Sequence, residues 1–176
     1  MKNSLKIAFC GIATAISVVL MLFGGIIVLL AYIMPMLAGV LMLMVKKTFG
    51  TSAAWITYVS TSVLSFILVA DRECMLMYVM FFGFYPIIKS TLEKIKSKPL
   101  EIILKLLIFN ALMAVIQLVL VYVFLIPFDD GGVTAVFVLL YIVLLNLLFV
   151  TYNLLLNKIF LIYQQKIEPR LKKLLK

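Results

Sequence analysis

Residues 7–45, IAFCGIATAISVVLMLFGGIIVLLAYIMPMLAGVLMLMV, carry no charged side chain. Wound as a single α-helix, this run would be about 58 Å long, against a hydrocarbon core of roughly 30 Å. Two helices separated near Gly24-Gly25, with Pro35 in the first turn of the second, fit that thickness. The choice between one helix and two sets the direction of every later segment.

Composition supports the membrane reading. Hydrophobic residues make up 66% of the 176-residue chain and charged residues 13%, far from the roughly half and quarter of soluble domains. The apolar runs leave no room for a soluble module, so residues 1–176 are expected to form a single membrane domain. There is no histidine, which removes imidazole-based acid–base chemistry and the usual nitrogen ligands of zinc, nickel and cobalt. The two cysteines, Cys10 and Cys74, have no metal or redox spacing and are expected at opposite ends of the bundle as packing residues. No cofactor and no catalytic activity of its own is predicted. The net charge of +9 comes from basic residues that flank apolar runs, which points to the lipid bilayer rather than to nucleic acid. Lys2 and Lys6 resemble a signal-peptide n-region, but the apolar run is too long and lacks a small-x-small cleavage site, so cleavage is not expected.

Six spans follow, at about residues 7–23, 31–45, 50–69, 74–92, 100–126 and 133–156, with a basic tail over 157–176. The fourth is the weakest, short and interrupted by Pro86, with Lys89 expected to snorkel to the headgroups. Residues 127–132, PFDDGG, form a strong turn signal. Six spans put fifteen of the sixteen Lys and Arg residues on one side and only Arg72 on the other, together with Asp71, Glu73, Asp129 and Asp130. A single span over 7–45 would move Lys2 and Lys6 across and weaken that segregation. The positive-inside rule therefore predicts an all-α six-helix bundle with both termini in the cytoplasm, in the plasma membrane.

No acid or base lies deep in a span, as proton relays and ion-coupled pumps usually require. No phosphate-binding glycine loop is present, so the chain contains no ATPase. Tyr58, Thr61, Ser62 and Ser65 share one face of the third span. Among them Tyr58, Ser62 and Ser65 are the candidate solute ligands, with Asp71, Arg72, Glu73, Asp129 and Asp130 as a charged outer rim. The residue pairs Asn110 with Gln117 and Asn146 with Asn153 read as interhelical glue. Tyr32, Trp55, Tyr85 and Tyr163 read as interface anchors. Ala8, Gly11 and Ala15 form a small-residue face suited to close approach of a partner helix.

This layout resembles the substrate-binding S components of energy-coupling-factor (ECF) transporters. The stretch from Lys6 to Ala15 is similar to that family's first helix, and Met34 to Gly39 with Gly50 and Ser60 to Leu64 looks like its second and third. The glycine-proline turn common after the family's second helix is replaced by Lys46-Lys47-Thr48-Phe49 before Gly50. The resemblance implies a solute-binding subunit that captures a small solute from the outer face. It also implies association, through Ala8, Gly11 and Ala15, with a coupling transmembrane protein and ATPase subunits. The uncharged stretch from Gly24 to Tyr32 would lie over the solute as a flexible lid. The alternative is a structural or regulatory multi-pass protein that acts through a protein partner.

Overall fold

A computed structural model describes residues 2–95, 97–126 and 135–167. The described residues form helices and turns with no β-strand. Six helical stretches are long and apolar enough to cross a membrane: Asn3–Ile26, Leu29–Phe49, Thr51–Leu68, Arg72–Leu92, Lys98–Tyr122 and Val136–Gln165. The expected turn at 127–132 lies outside the described residues, as does the tail beyond 167. The surface of these helices exposes Ile7, Ile67, Leu107, Phe137 and Leu147 among many other large apolar side chains. Such a continuous apolar surface belongs in hydrocarbon rather than in water.

The long uncharged run is divided where its glycines stand. Helix α1 spans Lys2–Leu22, a short 3₁₀ turn spans Gly24–Ile26, and α2 spans Val28–Phe49. The connection is shorter than the expected lid, because α2 begins at Val28 and Tyr32 already belongs to it. It is also packed down: Gly24 is buried, and a Cβ there would stand 2.5 Å from Cys74 Sγ. The rest of the connection, Gly25, Ile26 and Ile27, is exposed. The early start of α2 moves Pro35 into the helix interior, beyond the first turn where it was expected. There the ring removes one backbone hydrogen bond.

One residue, Gly50, joins α2 to α3, Thr51–Leu68. Its φ of 90° lies where L side chains are strained, and its N–H donates to Lys46 O at 2.9 Å. Glycine here folds α3 back along α2 without a loop. Both helices then pack against the fourth span, which is built from α4 (Arg72–Met77), a π-helical turn (Tyr78–Phe82) and α5 (Tyr85–Leu92).

The span that looked weakest is the centre of the bundle. In its most apolar window 61% of the residues are buried, against 17% for the last span. A segment surrounded by protein needs less hydrophobicity than one facing lipid, and it tolerates irregular backbone. Pro86 has no N–H for Phe82 O, the oxygen one helical turn before it. Tyr152 of α7 (Ala135–Ile162) takes over, its hydroxyl donating to Phe82 O at 3.1 Å. In the π turn, Gly83 N bonds Tyr78 O at 2.8 Å, and Tyr58 of α3 donates to Val79 O at 2.7 Å. Two tyrosines from different helices thus satisfy carbonyls that a broken helix leaves open. Gly39 of α2 lets the chains meet, since a Cβ there would stand 2.2 Å from Phe82 O and 2.3 Å from the Tyr152 hydroxyl.

Aromatic rings fill the space around this crossing. Phe81 stacks on Tyr85 with centroids 4.8 Å apart, and Phe109 of α6 (Lys98–Tyr122) stacks on Phe149 at the same separation. Buried Tyr85 donates to Asn153 Oδ1 at 3.0 Å, and buried Tyr163 bonds Thr48 at 2.6 Å, so neither is an interface anchor. The glue reading holds for Asn110 and Asn146, which exchange hydrogen bonds of 2.8 and 3.0 Å between α6 and α7.

Alternate helices run antiparallel, giving the bundle two unlike ends. One gathers Lys6, Lys46, Lys47, Lys89, Lys105 and Lys158 and is called the basic end here. The other carries Asp71, Arg72 and Glu73 and is called the acidic end. Lys89 does not snorkel as expected. It is 5% exposed and bonded to Glu93 and Asn157.

Replacing Tyr152 with Phe should lower stability by about 1–3 kcal/mol, the cost of leaving a buried acceptor unsatisfied. Adding Pro86→Ala should recover part of that loss, because residue 86 then supplies its own N–H to Phe82 O. Equilibrium unfolding in mixed detergent measures both, and a strictly additive double variant would refute the coupling.

Candidate functional site

At the acidic end, four helices send polar side chains to one place. Asp71 begins α4 as its N-cap: its Oδ1 accepts from Glu73 N at 3.0 Å and Cys74 N at 3.2 Å. That fixes the direction of the next two side chains. Arg72 turns outward, donating to Phe66 O at 2.9 Å and lying over the rings of Phe66 and Phe124. Glu73 turns inward, where the Tyr32 hydroxyl of α2 donates to its Oε1 at 2.7 Å. The Tyr32 and Tyr141 hydroxyls are 3.3 Å apart, and Gln117 Nε2 of α6 donates to Tyr141 at 3.0 Å.

The result is a chain of hydrogen bonds from Glu73 through Tyr32 and Tyr141 to Gln117, all half-buried. Among the described residues, Glu73 forms no ion pair, since every salt bridge lies at the basic end. A half-buried carboxylate bonded to one phenol hydroxyl, with a second phenol hydroxyl next in the chain and no salt-bridge partner among the described residues, is a suitable receptor for a cationic group. It supplies the opposite charge, with two hydroxyls beside it.

The predicted ligands divide between this place and others. Glu73 belongs to the cluster, Asp71 caps α4, and Arg72 is held against Phe66. Asp129 and Asp130 lie outside the described residues. Tyr58 is engaged with Val79 O, and the Ser65 hydroxyl donates to Thr61 O at 2.6 Å. Ser62 Oγ and the fully buried Tyr78 hydroxyl have no hydrogen-bond partner among the described residues. Thus Tyr58 and Ser65 brace the fold, while Ser62 retains unused capacity. Sequence reasoning missed Tyr141 and assigned Tyr32 to the interface. The available signal was their place one helical turn or so inside an apolar run, at the same end as Glu73.

The small-residue face is open. Ala8, Gly11 and Ala15 are all exposed, and a Cβ on Gly11 would meet nothing within 4 Å. Gly11 and Ala15 border a groove of about 460 Å³ between α1 and α3, whose other wall includes Ala53, Thr57 and Ser60.

No family model matches the chain, and neither a curated protein nor a solved structure does.

The charge of Glu73 is dispensable for folding on this geometry, since a glutamine keeps an oxygen for the Tyr32 hydroxyl. Glu73→Gln should leave the thermal midpoint unchanged or raise it, as is common where function keeps a site below its stability optimum. A pronounced fall in the midpoint would make the carboxylate structural instead.

Proposed function

We propose that this chain is the membrane-embedded solute-binding subunit of an ECF-type importer, catalysing nothing itself. The observation that carries the reading is the Glu73 carboxylate, bonded to the Tyr32 phenol that in turn meets Tyr141, with no salt-bridge partner among the described residues. The solute enters at the acidic end, and its cationic or zwitterionic group pairs with Glu73. Hydrogen bonds from Tyr141 and Gln117 select its orientation. The acidic end faces outward and the basic end faces the cytoplasm, in keeping with the charge segregation of the chain. The plasma membrane is the location that suits uptake.

Coupling falls to the opposite flank. The open face of Ala8, Gly11 and Ala15 allows a helix of a transmembrane coupling protein to approach closely, and the attached ATPase subunits supply the energy this chain lacks. A second reading, a structural or regulatory multi-pass protein acting through a partner, draws on the same groove between α1 and α3. The two differ at Glu73, which only solute capture requires.

Purified protein screened by thermal shift against amines, vitamins and nucleobases should show a stabilising solute carrying a positive charge. The shift should vanish in Glu73→Gln at unchanged basal stability. A broad screen without a hit, alongside a stoichiometric protein partner, would favour the second reading. Gly11→Leu combined with Ala15→Leu should abolish co-purification of the partner while leaving the fold intact, because both positions are open. Unchanged co-purification would remove α1 from the interface.

A further inference from the structure

The basic end holds a second polar cluster that solute capture does not use. Lys46 and Lys47 close α2, Lys89 and Ser90 stand on α5, Glu93 follows α5, and Asn157 comes from α7. Together with Phe160 they line a cavity of about 50 Å³, room for roughly three to five waters.

The lysines of this cavity are poorly neutralised. Lys46 Nζ donates to Ile87 O and, at 2.6 Å, to Ser90 Oγ, both neutral oxygens. Lys47 Nζ rests 4.0 Å from the centre of the Phe160 ring, which holds the ammonium and leaves its N–H groups free. Lys89 is buried and bonded to Glu93 and Asn157. Glu93 is the single carboxylate of the lining, and Lys105 approaches it too, at 3.7 Å. Three ammonium groups and one carboxylate therefore leave two positive charges in excess around a small polar cavity. Lys46 is half-buried and Lys47 exposed, so both remain open to an incoming counter-ion.

We propose that this cavity is an oxyanion site that takes one phosphate-type group, bound by Lys46, Lys47 and the Ser90 hydroxyl, with Lys89 behind. The Ser90 oxygen already accepts from Lys46, so its own proton is available to the anion. The volume suits a single tetrahedral oxyanion. The site lies where the apolar spans end, within reach of two sources of that chemistry: a phospholipid headgroup and free phosphate.

The test uses full-length protein in neutral detergent, followed by thermal unfolding. Phosphatidylglycerol, phosphatidylcholine and inorganic phosphate are titrated separately, the last against chloride at equal ionic strength. Stabilisation by phosphatidylglycerol alone assigns the site to a lipid headgroup, and stabilisation by inorganic phosphate assigns it to a free oxyanion. Either supports the proposal. The half-saturating concentration should rise by about tenfold or more in Lys46→Gln/Lys47→Gln, the loss expected for charge-assisted hydrogen bonds. It should stay near the original in Lys94→Gln/Lys158→Gln, which removes the same charge from exposed positions off the cavity. If the first pair fails to fold, Lys47→Gln alone carries the comparison, since that side chain is exposed. No stabilisation by either anion, or an equal loss in the two variants, would overturn the site.

Discussion

A backbone oxygen without its helical donor is the constraint on which this bundle depends. Pro86 denies Phe82 O its N–H, and in an apolar surround an unsatisfied carbonyl costs several kcal/mol. The hydroxyl of Tyr152 supplies the bond. That single requirement brings α7 against the fourth span and asks for Gly39 at the crossing, because no side chain fits between α2 and the bonded pair. The aromatic stack of Phe81, Tyr85, Phe109 and Phe149 then fills the remaining volume.

Polarity is distributed by the same logic. Three layers lie along the bundle: the Glu73 chain at the acidic end, the tyrosine–carbonyl bonds in the middle, and the lysine cluster at the basic end. Each joins helices far apart in sequence. Interhelical hydrogen bonds in membranes contribute about 1 kcal/mol each, so their greater effect is to select one arrangement among several of similar packing energy. The two outer layers also retain charge that folding does not neutralise. In the central layer the Tyr58 and Tyr152 hydroxyls are committed to structure.

Much of the fold was legible in the chain. The charge-free run over 7–45 demanded a break, and Gly24-Gly25 marked it within a residue or two, since thickness and charge segregation act on sequence directly. Less was legible where tertiary partners override local preference. Pro86 argued for a weak fourth span, yet the donor that rescues it stands on another helix. Lys89 had the spacing of a snorkelling residue, but Glu93 and Asn157 meet it inside the protein. Tyr32 read as an interface anchor because a period-based reading cannot see Glu73 across the bundle. Of the candidate ligands among the described residues, only Glu73 joins the convergent cluster, and Asp71 shows why: its side chain is consumed in starting the helix that aims Glu73 inward.

The bond between Tyr152 and Phe82 has a consequence for biogenesis, because its partners lie seventy residues apart. When the fourth span leaves the ribosome, the helix that completes it has not been made. The early hairpins can assemble, but the central span waits with an open carbonyl until α7 packs against it. Helix α7 therefore acts as a latch, and a chain truncated before it lacks the hydroxyl that closes the Phe82 carbonyl.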